Sequence, residues 1–322
     1  MNLNNTILLT GASGSFGTYL KEEWSNHSHI FFASRNNNNL RNHLTLNPYD
    51  SKQWERVILE NNISIIVHNA AHTQIWGKWN EFESTNIQMM KTLTSVVKNM
   101  PHVKIVFLST PSIYHYANTP YVTEEFYPIK FPNFYAKSKF IAENILVDSG
   151  IPYIIFRPRA IVGRTDNTLL PRLMETYHAG KLRIIGNGNN IADFTSMKNI
   201  QLAIELAINA PEVAWNHIYN ITNGDPANIY IIINSLLEAF SLNPVSRKVP
   251  VKLAKFVAIF SEVSSKIQQK EPLISRYQIE LLSQNFTLDI GKSIELLKYK
   301  PIQSNAAMIQ ELIQANKTKF NV

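Results

Sequence analysis

The stretch "TILLTGASGSFG" (residues 6–17) sets a short apolar run against three glycines spaced three apart, Gly11, Gly14 and Gly17. An apolar run closed by a glycine suits a strand buried on both faces of a sheet. Each glycine then has a separate use at a strand-to-helix turn. Gly11 permits the tight turn, Gly14 lets the backbone approach a pyrophosphate, and Gly17 lets the following helix sit close to the sheet. The unpaired amides at the helix start would face the anion. A glycine triplet also describes an ordinary structural turn, so the rest of the chain has to decide between the two.

The apolar-run pattern recurs in "IFFAS" (30–34), "SIIVHNA" (64–70), "KIVFLST" (104–110) and "PYIIFRP" (152–158), with helix-like segments around 15–25, 51–61, 84–99 and 135–149 between them. Strand alternating with helix in this way predicts an α/β fold with a Rossmann-type doubly wound parallel sheet over residues 1–160. The pattern then becomes less regular, and 161–322 is expected to form mainly a smaller C-terminal substrate-binding region, with some segments returning to the sheet. At the head of such a pattern the glycine turn reads as a dinucleotide site. The second strand ends in "FFASRN" (31–36), where an NAD site would place an acid against the ribose; here Ser34 and Arg35 stand instead. A guanidinium pairs with a 2′-phosphate, so NADP(H) is favoured over NAD(H). The alternative is that Arg35 simply points into solvent.

The 322 residues are 45% hydrophobic and 11% aromatic, as in a globular protein. They include no cysteine, which excludes disulfides, thiolate metal sites and a cysteine nucleophile, and suits a cytoplasmic location. No metal is called for. The start "MNLNNTILLT" lacks the basic segment of a secretion signal, and no apolar run reaches the ~20 residues of a membrane span. The net charge of +7 is unevenly placed: residues 1–244 hold 19 Lys/Arg against 18 Asp/Glu, residues 245–300 hold 10 against 5. No nucleic-acid motif accompanies this excess, so nucleic acid is not an expected partner. Within it, Leu253, Phe256, Val257, Phe260, Ser264 and Ile267 share one helical stripe, opposite Lys252, Lys255, Glu262 and Lys266. Residues 251–267 are expected to pack on the core of the substrate region; a peripheral membrane contact is the alternative.

In "FYAKSKFIAE" (134–143), Tyr135 and Lys139 are four apart and share a helix face. That pair alone recurs by chance. Together with the glycine motif, "HNAA" (68–71), "LSTPSIY" (108–114) and "RPRAIVG" (157–163), all in this order, it resembles the extended short-chain dehydrogenase/reductase superfamily. Segments such as "GNGNNIADFTSMKNI" (186–200) and "LLKYKP" (296–301) extend the likeness over nearly the whole chain. They point to the branch with 3β-hydroxysteroid dehydrogenase-like proteins, sterol carboxylate dehydrogenases and bacterial 2-alkyl-3-oxoalkanoate reductases. The resemblance implies that Tyr135 is the acid/base, that Lys139 lowers its pKa and holds the nicotinamide ribose, and that Thr110, rather than its neighbour Ser109, hydrogen-bonds the substrate oxygen. A free phenol near pKa 10 is a poor base at neutral pH, so an adjacent cation makes physical sense. Asn86 matches an asparagine near the start of the following helix. Cofactor contacts are implied at Gly11, Ser13, Gly14, Ser15, Phe16 and Gly17, at Ala70 and Ala71, at Pro158, and at Tyr135 and Lys139. The chain departs from the family at Asn47, where an aspartate often meets adenine, and at Lys198 and Asn199, where paired acids are usual.

Elimination chemistry in this superfamily needs Asp-Glu directly after the threonine, and Pro111 and Ser112 stand there; sugar-nucleotide epimerases usually carry an arginine before "DF", and Ala192 stands there. The expected pocket is instead bulky and apolar: Trp76, Trp79, Tyr114, Phe131, Phe134, Leu169 and Leu170. Such a wall suits a hydrophobic acyl, steroid-like or aromatic ketone or alcohol as the small-molecule partner. His72 is either a substrate contact or a structural histidine. A nucleotide-sugar epimerase and a non-catalytic NADP-sensing regulator remain the rival readings, and a homodimer is compatible with the sequence.

Overall fold

The computed structural model describes residues 5–35, 42–115 and 120–317. All four side chains of β1 (Ile7–Thr10) are buried, and they divide between two cores: Ile7 and Leu9 face one, Leu8 the other. That division is why the run had to be apolar throughout. β1 pairs in parallel with β2 (Ile30–Ser34), and β3 (His43–Thr45) adds outside β2. On its other side follow β4 (Ile65–His68), β5 (Lys104–Leu108), β6 (Tyr153–Pro158) and β7 (His217–Ile221), all parallel. The order 3-2-1-4-5-6-7 is the doubly wound one, with the crevice for a ligand where it reverses between β1 and β4.

One face is covered by α1 (Ser15–Trp24), the other by α2 (Ser51–Glu60), α3 and α4 (Phe134–Asp148). Here α3 runs over 79–97 as Trp79–Phe82, a π-helical stretch Glu83–Gln88, and Met89–Val97. The chain leaves the sheet through α5 (Leu169–His178) and returns to the α1 face through α6 (Met197–Ile208) and β7. Five strands and four helices stand within a few residues of their expected places, except that α3 begins five residues before the predicted 84. β3 and β7 were not foreseen.

A second core joins α5, α7 (Ile229–Ala239) and, later in the chain, 305–316, through Leu170, Met174, Leu237, Phe240, Met308 and Leu312. α8 (Val251–Gln268) packs here in the opposite sense to expectation. Its small residues Ala254, Ala258 and Ser265 are buried, the alanines lying with Ile185 and with Ile279 of α9 (Arg276–Ser283). The bulky stripe faces outward, with Phe256 57%, Phe260 61% and Ile267 79% exposed. Small side chains let two helices approach closely, so the small face was the packing face. No described helix is long and apolar enough to cross a membrane.

Candidate active site

At the glycine turn, Gly11 has φ +71°, and a Cβ there would lie 2.7 Å from the Ala70 amide nitrogen; a Cβ on Gly17 would lie 2.0 Å from the Gly11 carbonyl oxygen. Both glycines are therefore demanded by the fold. Gly14 is different: a Cβ there would meet nothing nearer than the Gly11 oxygen at 3.5 Å. The bare backbone at Gly14 leaves exposed space that the protein itself does not need, which fits a pyrophosphate. No side chain caps α1 and no acid lies in its first turn, so its amides can meet a phosphate. Ser13 is exposed beside them. The Ser15 hydroxyl donates to the Thr165 carbonyl (2.7 Å) and the Thr165 hydroxyl donates to the Ser15 carbonyl (2.9 Å), tying the loop after β6 to this turn.

Asn69 donates to the Gly11 carbonyl at 3.3 Å, and the Ala70 amide donates to Thr10 Oγ1 at 3.3 Å, so "HNAA" backs the turn directly. Half-buried Ala71 follows, and buried Pro158 ends β6 opposite Ile221. The Phe16 ring is core, stacked 6.1 Å from Tyr19, so its backbone is the part that could touch a cofactor. At the end of β2, Ser34 Oγ lies 3.0 Å from His43 Nε2 and Arg35 is exposed. Asn47 Oδ1 accepts from the Tyr49 amide, closing the turn into α2.

Asn133 caps α4 by accepting from the Ala136 amide at 2.9 Å, which sets Tyr135 in the first turn and Lys139 one turn on. The Tyr135 phenol lies near the Thr110 hydroxyl, while the Ser109 hydroxyl is buried without a partner. Thr110 in turn donates to Ser112 Oγ at 3.0 Å, and Ser112 Oγ lies 2.8 Å from the Tyr277 hydroxyl. Burial pushes Tyr135 up to about 12, with Thr110 opposing, so the phenol is protonated at neutral pH. The lowering expected from Lys139 is not seen in this arrangement. Lys139 Nζ donates to the Leu108 carbonyl at 2.6 Å and sits 3.9 Å over the Phe107 ring. Burial lowers its own pKa to about 7, with Glu143 opposing. Its influence falls on His68, which burial and Lys139 together hold at about 3.

Asn86, within the π-helical stretch, clamps the site from the side. It accepts from the His72 amide (2.7 Å), donates to the His72 carbonyl (3.1 Å) and donates to Ser138 Oγ (2.9 Å), beside Lys139. The residue named as a helix-start asparagine thus joins the "HNAA" loop to the helix that carries Tyr135 and Lys139.

Part of the expected apolar wall assembles. Trp79 and Phe134 meet edge-to-face at 5.5 Å, Phe134 lies 6.2 Å from Phe82, and Phe82 lies 4.6 Å from His72. His72 Nε2 is buried there without a partner. Phe82 was missed because nothing in the sequence marks it off from other helix core positions. Half-buried Trp76 precedes this group on the loop, Leu169 is exposed, and Phe131 packs on Phe140 at 5.3 Å. Two residues do not belong to the wall. Leu170 is in the second core, and Tyr114 is fully buried. The Tyr114 hydroxyl accepts from Arg157 and donates to Asn220 Oδ1 at 3.1 Å, while Arg157 also forks onto Glu143, so Tyr114 ties β6, β7 and α4 together inside the protein.

Residues 7–222 match the profile of the NAD dependent epimerase/dehydratase family. The chain belongs to that family. It is 30% identical over 232 residues to a 2-alkyl-3-oxoalkanoate reductase of Stenotrophomonas maltophilia, covering 68% of this chain and 70% of that one. It is 24% identical over 328 residues to a decarboxylating sterol-4-alpha-carboxylate 3-dehydrogenase of Candida albicans, covering 92% and 93%. The UDP-glucuronic acid 4-epimerase of Bacillus cereus, solved in complex with NAD, shares the fold with a TM-score of 0.74 at 20% identity, over 98% of this chain and 99% of that one. As a family member the chain is an enzyme of the extended short-chain dehydrogenase/reductase type, an NAD(P)-dependent oxidoreductase or epimerase. The Gly11–Gly17 turn is where such a cofactor fits.

Proposed function

We propose that this family member is an NADP(H)-favouring oxidoreductase that interconverts a ketone and an alcohol on a hydrophobic acyl, steroid-like or aromatic substrate. The observation that carries this is the protonated Tyr135 phenol near Thr110, next along its helix to Phe134, which packs on Trp79 and Phe82 of α3. When bound, the dinucleotide supplies or takes the hydride. Tyr135 gives a proton to the carbonyl oxygen in reduction and takes one in oxidation, Thr110 orients that oxygen, and Lys139 holds the nicotinamide ribose. Pro111 and Ser112 offer no acid or base for elimination, and Ala192 offers no charge for a sugar diphosphate. Relatives named for 3-oxoalkanoate and sterol carboxylate substrates support an apolar substrate. The test is NADPH oxidation against 3-oxo acids, steroids and aromatic ketones; turnover of UDP-sugars with none of these would defeat the reading.

Cofactor preference rests on Arg35. Arg35→Ala is expected to weaken NADPH binding tenfold or more, as for ~1.5–3 kcal/mol of charged hydrogen bonding, and to leave NADH nearly unaffected. Fluorescence titrations in which both cofactors weaken equally would remove the assignment.

The exposed stripe of α8 supports a peripheral contact with an anionic lipid surface, from which an apolar substrate would be drawn. Leu253, Phe256, Phe260 and Ile267 would enter the headgroup boundary, and Lys252 and Lys266 on the same helix would complement its charge. Co-sedimentation with vesicles containing phosphatidylglycerol is expected, with little on phosphatidylcholine alone and a marked loss in Phe256→Ser/Phe260→Ser. A lipid-independent dimer that this double variant dissociates would instead make the face a contact between two copies.

A further inference from the structure

α9 opens with a reciprocal cap: Ser275 Oγ accepts from the Gln278 amide at 3.2 Å, and Gln278 Oε1 accepts from the Ser275 amide at 2.8 Å. The cap fixes the first turn, and with it Tyr277 and, three residues on along the same face, Glu280. Both side chains reach the tight turn Pro111–Tyr114 and the residue after it. The Tyr277 hydroxyl lies 2.8 Å from Ser112 Oγ, and its ring meets His115 edge-to-face at 4.8 Å. Glu280 holds His115 Nε2 at 2.5 Å on one oxygen and Lys255 Nζ of α8 at 2.6 Å on the other. Glu280 thus ties α9 to the turn and to α8, while the contact made by Tyr277 continues toward the site.

What that contact does depends on where three hydroxyl hydrogens point. Thr110 Oγ1 accepts from the Ser112 amide at 3.2 Å and donates its single hydrogen to Ser112 Oγ at 3.0 Å. Turned there, the hydrogen cannot meet the substrate oxygen that Thr110 is to hold. Ser112 also carries one hydrogen, and its oxygen stands between Thr110 and Tyr277. Hydroxyls rotate, so the same three oxygens fit the opposite sense, in which Tyr277 donates to Ser112 and Ser112 donates to Thr110. The Thr110 hydrogen is then released, and each bond in the row strengthens the next. A phenol is a stronger acid than an aliphatic alcohol, which suits it to the far end of such a row. Tyr277 is buried, and burial raises its pKa, so it keeps the hydrogen it would donate.

We propose that Tyr277 is a positioning residue for the carbonyl: it donates to Ser112, Ser112 donates to Thr110, and the Thr110 hydrogen turns onto the substrate oxygen. This rests on the oxidoreductase reading above, with Thr110 as the group that meets that oxygen. No O–H bond breaks; the three hydroxyls rotate as the substrate enters. Negative charge gathers on the oxygen as hydride arrives, so a donor held ready there acts on the transition state more than on binding. Without the Tyr277 hydroxyl the reversed row has no donor at its far end, and Ser112 must give its hydrogen to Thr110 while accepting none.

The test is a double-mutant cycle of Tyr277→Phe and Ser112→Ala, with Glu280→Gln alongside, on the panel ketone that the wild type reduces fastest. The readouts are the single-turnover rate of NADPH oxidation and calorimetric binding of the same ketone to the enzyme with NADP+. Tyr277→Phe is expected to slow the single turnover about three- to tenfold, as for one neutral hydrogen bond, with ketone binding nearly unchanged. Because Tyr277 acts through Ser112, the same substitution should cost nothing further once Ser112 is alanine. Glu280→Gln weakens the other tie of α9 without touching the row of hydroxyls, and should leave the rate near wild type. An unchanged rate in Tyr277→Phe overturns the proposal. Equal losses with and without the Ser112 hydroxyl, or a loss in Glu280→Gln as large as in Tyr277→Phe, would make Tyr277 ordinary packing for the turn and overturn it as well. Melting curves identify a variant that fails to fold; should Ser112→Ala do so, the split between rate and binding in Tyr277→Phe, set against Glu280→Gln, decides. A wild type that reduces no ketone of the panel is instead the failure of the oxidoreductase reading, and the role of Tyr277 falls with it.

Discussion

Tyr135→Phe is expected to lower kcat by on the order of a hundredfold or more, while NADPH affinity and melting temperature stay close to wild type. The substitution removes one hydroxyl that lies near Thr110, and Thr110 keeps its bonds to Ser112. Packing around the ring is unchanged, so little stability is at stake. The proton at issue is available: with the phenol held at about 12 by burial, Tyr135 is a neutral acid throughout the working range. Nothing adjacent can replace it. Lys139 is turned to the Leu108 carbonyl, and the Ser112 hydroxyl is held between Thr110 and Tyr277. Steady-state and single-turnover rates on one ketone, with a fluorescence titration of NADPH, measure both halves. A variant keeping more than about a tenth of kcat would mean that another proton donor serves the site, against the hundredfold that acid–base catalysis ordinarily supplies.

The fold was legible because β1 carries its instructions locally. A run apolar on both faces, closed by glycines that the backbone demands at 11 and 17, admits few readings, and the same run recurs in order. β7 was not legible, since "HIYNI" includes Asn220, whose burial is satisfied by Val122 and Asp289 carbonyls far away in sequence. α8 shows a different limit. Periodicity tells which residues share a helix face, but not which face the protein covers, and here Ala254 and Ala258 won over Phe256 and Phe260. In the site, Thr110, Tyr135 and Lys139 were fixed by motif and stand together on the sheet edge and one helix. Tyr114 was misjudged because the tight turn Pro111–Tyr114 carries the chain from a site-facing hydroxyl at Thr110 to an inward-facing ring four positions on. Tyr277 joins Ser112 across 165 positions, a meeting that no local pattern announces.

Glu143→Ala is expected to be the most destabilising single change, on the order of 3–5 kcal/mol, and to lower the melting temperature by about 10 °C. Glu143 and Arg157 are an ion pair with side chains 2% and 3% exposed. Arg157 Nε donates to Glu143 Oε1 at 2.9 Å, a second fork joins Nη2 to Oε2, and Nη1 reaches the Tyr114 hydroxyl. Tyr114 goes on to Asn220, whose amide donates to Glu124 Oε1 at 2.7 Å. One carboxylate therefore anchors α4 to β6 and, through Tyr114, to β7. Removing it leaves a guanidinium enclosed with its main partner gone, which costs more than the pair itself contributes. The double variant Glu143→Leu/Arg157→Met should consequently lose less stability than the sum of the two single ones, because it leaves no buried charge unpaired. Activity carries a separate signature. Glu143 raises the pKa of Lys139, so its loss favours the neutral amine, and ribose binding should weaken even at temperatures where the variant is fully folded. Calorimetric melting of Glu143→Ala, of the double variant and of its two single parents, with NADPH titration at low temperature, distinguishes anchoring from tuning; a shift below about 2 °C in Glu143→Ala would show that water reaches the pair and that the anchor lies elsewhere.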